Sequence, residues 1–228
     1  MSPAVIAHRG AKALAEHENS TEAFEIAIEL GVPYAEFDVR STSDGCIVCY
    51  HDPDVAGTKL SDLTYNEAER LAGYHIPLFS EVLELCKGRI RLDIELKETG
   101  YEKEIVRILH EHLSYDEYQV KSFLDTAVLR IKRLDPGITA GLLLGMKEAD
   151  KRRRFNEYFP GRRLKMLGAD FVSPHHKLVT PGFLLRMKLS KKKIYVWTIN
   201  DEKLLRRFMH KPVDGVITDH PDKALEYI

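Results

Sequence analysis

Short apolar runs recur along this chain, and most are followed by a longer stretch of helical period. The first, Pro3-Ala4-Val5-Ile6-Ala7, is closed by His8-Arg9-Gly10. Ser20-Thr21 then predicts the cap of a helix running through Phe24, Ala27 and Leu30, which Gly31 stops. The next strand-like run is 34–39. After it, Asp44-Gly45 between two β-rich runs predicts a hairpin, so that 46–51 folds back and returns His51 to the level of Glu36 and Asp38. Helical pieces are expected at 61–72 and 78–87. Further strands are expected near 90–96, 118–122, 138–144, 170–173, 193–198 and 214–217. Helices near 101–113, 125–134, 159–168, 181–190 and 201–210 separate them, and a short one at 221–227 ends the chain. Leaving out the returning arm, eight parallel strands remain, the number that closes a barrel. A doubly wound open sheet is the alternative, but no glycine-rich phosphate loop follows the first strand. The expectation is an α/β chain, 1–228, folded as one TIM (β/α)8 barrel domain. A hairpin and a reduced insertion, 53–77, would sit at its C-terminal mouth.

Strand ends are where parallel α/β enzymes gather their chemistry. Glu36 and Asp38, one residue apart, point to the same face of their strand, while Phe37 and Val39 suit packing against outer helices. Two carboxylates facing into a barrel are costly to bury without a cation. Glu95 occupies the same kind of place on its own strand, with Asp93 one step deeper and Lys97 continuing the series. Three carboxylates without thiolates indicate a hard, oxygen-seeking ion, Mg²⁺ or Ca²⁺. His8 and His51 are the natural general acid and base, because imidazole titrates near neutral pH. Arg9 and Lys97 can meet a phosphate, and Asp52 can orient His51. His175-His176 are secondary candidates, since neighbouring side chains point apart.

Composition adds bounds. Lys plus Arg (34) nearly balances Asp plus Glu (35), and a net charge of −1 argues against a broad nucleic-acid or anionic-membrane surface. The basic stretch 147–163 is the exception, a solvated helix-loop that could guide an anionic substrate. Three cysteines, an odd number, suggest reduced thiols, and Cys46-x-x-Cys49 has no second pair with which to form a zinc site. With no signal-like or membrane-spanning segment in view, the expected setting is cytoplasmic and soluble.

An ordered set of motifs resembles the glycerophosphodiester phosphodiesterases. It runs His8-Arg9-Gly10, Glu18-Asn19-Ser20, Glu36-x-Asp38-Val39, Thr42-x-Asp44-Gly45 and His51-Asp52. It continues through Glu95-Leu96-Lys97, Ser122-Phe123, Val196-Trp197-Thr198-Ile199-Asn200 and Asp214-Gly215-Val216-Ile217-Thr218-Asp219-x-Pro221. The resemblance implies a TIM barrel with Glu36, Asp38 and Glu95 as metal ligands and His8 and His51 as the acid–base pair. It also implies Arg9 and Lys97 at the phosphate and Phe123 and Trp197 lining the substrate side. The expected reaction is metal-dependent hydrolysis of a small glycerophosphodiester, with no nucleic-acid partner. His17 and Ser20 stand where the family usually has proline and threonine, and the segment after Asp52 lacks the family's common Arg-x-Thr run. One rival is a lysophospholipase D-like enzyme, which would need an apolar rim; in 53–77 only Val55, Leu60, Leu63 and Tyr65 are available for it. The other is a silent phosphodiester-binding barrel, which would lack a catalytic or metal position.

Overall fold

The computed structural model of the chain describes residues 2–145 and 151–228, with side chains for 2–145 and 155–228. The first strand, β1 (Ala4–Ala7), pairs in parallel with β2 (Tyr34–Ser41). The chain then makes the antiparallel arm β3 (Ile47–Cys49) and the small hairpin β4 (Asp54–Val55) and β5 (Thr58–Lys59). Parallel strands follow as β6 (Arg91–Leu96), β7 (Tyr118–Ser122), β8 (Ala140–Leu144), β9 (Phe171–Pro174), β10 (Lys193–Val196) and β11 (Gly215–Thr218). Because β11 pairs back onto β1, the eight parallel strands close into a TIM barrel.

Ten α-helices among the described residues complete the order. They are α1 (Thr21–Glu29), α2 (Tyr65–Ala72), α3 (Phe79–Cys86), α4 (Glu102–His112) and α5 (Asp125–Leu134). After them come α6 (Lys151–Tyr158), α7 (Gly161–Leu167), α8 (Pro181–Leu189), α9 (Glu202–Met209) and α10 (Pro221–Leu225). One phase of each strand meets these helices: Phe37 and Val39 on β2, with Leu92, Ile94 and Leu96 on β6, join the outer core. The other phase fills the barrel.

The barrel interior is layered. An apolar plug of Ile6, Phe171, Tyr195 and Ile217 closes its lower part, with the Phe171 and Tyr195 rings edge to face at 5.2 Å. Two glycines make room for those rings. A Cβ on Gly141 would lie 2.1 Å from Phe171 Cε2, and one on Gly215 would lie 2.8 Å from Tyr195 Cδ1. Above the plug, Glu36, Asp93, Gln119, Lys121 and Ser173 form a buried polar layer beneath the mouth.

Two element boundaries differ from expectation. The helix expected over 61–72 begins at Tyr65, because Thr64 caps it with a reciprocal bond to Glu67 and the Asp44 carboxylate accepts the Tyr65 N–H. Residues Leu60–Asp62 form a 3₁₀ turn instead. The helix expected over 159–168 begins at Gly161, after Phe159-Pro160, because proline can precede the first turn of α7 but cannot continue α6. The insertion has a core of its own, in which Val55, Leu60, Leu63, Ala68 and Ile76 pack on Val48 of the arm. Val55, Leu60 and Leu63 are buried there and supply no apolar rim. Among the described residues no helix is long and apolar enough to cross a membrane.

Gly141→Ala is expected to overpack the plug and lower unfolding stability by about 1–3 kcal/mol. Denaturant titration measures this, and adding Phe171→Leu to the same chain should recover part of the loss.

Candidate functional site

The site grows from the register of three strands. Glu36 lies level with Asp93, and Asp38 with Glu95, across the β2–β6 pair. Across β6–β7, Asp93 is level with Gln119 and Glu95 with Lys121. Alternation turns all six side chains into the barrel, so four carboxylates crowd one buried wall. Glu36, Asp38 and Glu95 each offer an oxygen within 4.8 Å of the others, and all three are buried.

Cations hold this wall together from both sides. Lys121, nearly inaccessible, bonds Asp93 Oδ2 at 2.6 Å and reaches Glu36 Oε1 at 3.2 Å, while Gln119 donates to the other Asp93 oxygen. Burial disfavours the Lys121 ammonium, yet Asp93, Glu36 and Glu95 outweigh it and keep that group well above the ordinary lysine value. Above, Lys97 Nζ sits 2.6 Å from Glu95 Oε1 and 3.1 Å from Asp38 Oδ1. Arg9 Nε is 3.3 Å from Asp38 Oδ2, and Asn19 donates to the same oxygen at 3.1 Å. Burial alone would raise Asp38, but Lys97, Arg9, His51 and His8 hold its carboxyl well below the usual range. Glu95 fares differently. Burial is the largest effect, Lys97 opposes it, Asp38 and Glu36 add to it, and the carboxyl is pushed up to about 7. Four carboxyl groups thus face three resident cations, Lys121, Lys97 and Arg9. Three hard oxygen donors in that condition fit a divalent cation.

His8 ends β1, and its Nδ1 bonds Asp219 Oδ1 at 2.5 Å. Asn200 steadies that aspartate through its side-chain N–H (2.6 Å) and by accepting the Asp219 backbone N–H (3.0 Å). His8 Nε2 faces inward, 3.8 Å from Glu36 Oε2. The chain then turns at Arg9 and Gly10, both at positive φ. Only glycine fits the second position, because a Cβ would come within 2.7 Å of the Ala23 backbone. This turn aims the Arg9 amide at Glu36 Oε2 and its guanidinium at Glu18 and Asp38.

His51 arrives from the opposite side. The antiparallel register Val39↔Cys49 and the Tyr50 N–H bond to the Asp38 carbonyl bring the arm back to the carboxylate level, as Asp44-Gly45 predicted. Arg40 donates to the His51 carbonyl at 2.8 Å, and His51 Nδ1 bonds Asp52 at 2.6 Å. Burial chiefly lowers the His51 pKa, Lys97 and Arg9 add to this, and Asp38 and Asp52 only partly oppose it. That direction favours the neutral ring. In both histidines an aspartate on Nδ1 sets the tautomer and leaves Nε2 for other work.

One cleft is lined by His8, Arg9, Glu36, His51, Glu95, Lys97, Phe123 and Trp197. Phe123 and Trp197 meet edge to face at 5.4 Å, and the indole N–H is held by the Ser173 carbonyl. His175 meets Trp197 edge to face at 5.2 Å, its pKa pushed down to about 4 by burial and by its neighbours His176 and Lys177. His17 stacks on Tyr74 of the insertion, ring centroids 3.9 Å apart, and Ser20 caps α1 through the Ala23 N–H. Cys46, Cys49 and Cys86 are free thiols, and burial pushes Cys49 far up. Of the basic stretch 147–163, residues 147–150 lie outside the described residues; within the rest, Arg163 is tied to Asp125 and Glu157.

Lys121 was not singled out from sequence, although its alternation with Gln119 and Phe123 marks it as inward-facing. Asp219, Asn200, Glu18 and Asn19 fell within recognisable motifs but had no assigned place. The structure puts Asp219 under His8 and Asn19 against Asp38.

Comparison with known proteins bears on the family and the fold. The family model described as "Glycerophosphoryl diester phosphodiesterase family" matches residues 8–223. A glycerophosphodiester phosphodiesterase of Bacillus altitudinis is 30% identical over 246 residues, covering 97% of this chain and 96% of its own. A crystal structure of a glycerophosphodiester phosphodiesterase from Parabacteroides distasonis superposes with a TM-score of 0.84 at 27% identity, covering 99% of this chain and 96% of that one. An Oleispira antarctica phosphodiesterase, in complex with the product sn-glycerol-3-phosphate, gives a TM-score of 0.80 at 25% identity, covering 99% and 96%. Matched over nearly its whole length and folded as the same barrel, this chain belongs to the glycerophosphoryl diester phosphodiesterase family.

Proposed function

We propose that this chain hydrolyses glycerophosphodiesters to an alcohol and glycerol 3-phosphate, using a divalent metal, Mg²⁺ or Ca²⁺, and two histidines. The observation that carries this reading is a single cleft in which His8 and His51, each fixed by an aspartate, flank three buried carboxylates. Glu36, Asp38 and Glu95 would hold the metal, which supplies Lewis-acid polarisation of the phosphate and of the attacking hydroxyl.

The protein's own groups do the rest. Lys97 and Arg9 border the cleft as fixed positive charge for the non-bridging phosphate oxygens. One histidine accepts the proton of the glycerol 2-hydroxyl as that oxygen attacks phosphorus, and the other protonates the departing alcohol. Water then opens the cyclic phosphate with the two roles exchanged, and each ring regains its starting state. Phe123 and Trp197 form an apolar wall that shields the reacting phosphate from bulk water. The product complex of the Oleispira antarctica relative supports glycerol 3-phosphate as the phosphate-bearing product. A silent binding barrel is disfavoured because neither histidine and none of the three carboxylates is missing.

Replacing His8 or His51 by alanine is expected to cost ~10²–10⁴ in turnover of glycerophosphocholine. Choline release measures this, and near-normal rates in both variants would remove the pair from the chemistry. Chelation should abolish choline release, and added Mg²⁺ or Ca²⁺ should restore it. Turnover that persists after thorough chelation would overturn the role given to Glu36, Asp38 and Glu95.

A further inference from the structure

The net charge of −1 conceals a strong segregation. Between residues 155 and 193 stand nine lysines and arginines against two acids, Glu157 and Asp170, a surplus of seven. Glu157 is buried beside Arg163, and Asp170 pairs with Lys132 on α5. Arg162, Lys165, Lys188, Lys191 and Lys193 are exposed and form no ion pair among the described residues.

Large apolar side chains share this flank. Met166 on α7 is 69% exposed and Leu189 on α8 is 75% exposed. Phe155 and Phe159 stack at 4.6 Å, and the Arg186 guanidinium lies 4.3 Å over Phe159, joining the end of α6 to α8. Leu185 and Leu189, one turn apart on α8, share one exposed side of that helix. A groove containing Phe159, Arg162 and Met166 runs to Leu124 and Phe123, and Phe123 also lines the catalytic cleft.

Exposed apolar groups ringed by unpaired cations match one environment closely. Their tips can enter the boundary between headgroups and acyl chains while lysine and arginine meet anionic headgroups. A second copy of this chain would bring two basic faces together and be repelled. A nucleic acid would use the charge but gain nothing from Leu185, Leu189 and Met166. We propose that the flank running from Phe155 at the end of α6 through α7 and α8 is a docking surface for an anionic lipid bilayer. The chain lies on the bilayer peripherally, with the cleft opening beside the membrane along the Phe123 groove.

Co-sedimentation with vesicles tests this without reference to catalysis. The probes are vesicles of phosphatidylcholine containing phosphatidylserine, and vesicles of phosphatidylcholine alone. The full chain should pellet with the first at low salt, and added salt should release it. Each basic side chain contributes about fivefold to partitioning, so Arg162→Gln/Lys165→Gln/Lys188→Gln should lower it ~100-fold. Leu185→Ser/Leu189→Ser should bind at low salt but wash off at moderate salt, where the apolar contribution is needed. Unchanged thermal midpoints establish that both variants are folded. Failure of the wild type to pellet with phosphatidylserine vesicles at low salt would overturn the proposal, as would unaltered binding of the glutamine variant. Tighter binding to single-stranded RNA than to vesicles, indifferent to the leucine substitutions, would assign the flank to nucleic acid instead.

Discussion

Everything at the mouth depends on burying carboxylates that cannot all be charged together. The register of β2 and β6 sets Glu36 beside Asp93 and Asp38 beside Glu95, inside a barrel with little water to spread their charge. In a low-dielectric interior such crowding is strongly unfavourable unless cations are placed among the oxygens. Lys121 supplies one from below, and Lys97 with Arg9 supplies two from above. At Glu95 and Asp93 burial outweighs the cations beside them, and both carboxyls are held above the usual range. The wall is thus poised to take up positive charge and is held in place by more than that charge alone.

The surrounding structure serves this wall in two ways. The apolar plug of Phe171 and Tyr195 gives it a floor, made possible by glycines on β8 and β11. The rim then fixes polar side chains by short chains of hydrogen bonds: Asn200 to Asp219 to His8 on one side, Arg40 to the His51 backbone on the other. Neither histidine depends on the other for its orientation.

Much of this was legible in the residues. Alternation placed Glu36 and Asp38 on one face, and the Asp44-Gly45 turn returned His51 to their level. Eight short strands with helices between them pointed to a closed barrel. What escaped was non-local. That Lys121 lies beneath Glu36 follows from the register between β6 and β7, which only the closed barrel fixes. That Asp219 steadies His8 follows from β11 pairing with β1 across 211 residues. Local errors had local causes: Thr64 and Asp44 set where α2 starts, and Pro160 sets where α7 starts. The net charge is silent on one point, since a sum over the chain does not say where the charges lie: nine of the lysines and arginines fall between residues 155 and 193.

The arm that carries His51 belongs to two bodies at once. Its Val39–Cys49 pairing ties it to β2, while Cys49 donates to the Pro77 carbonyl and Val48 is packed in the core of the insertion. Glu36, Asp38 and Glu95, by contrast, sit entirely on barrel strands. Substitutions in the insertion can therefore reshape the mouth without reaching the carboxylates, yet a change in its core is transmitted to one histidine. Divergence of substrate preference in this chain is free to explore the insertion's surface, but its core is tethered to the chemistry.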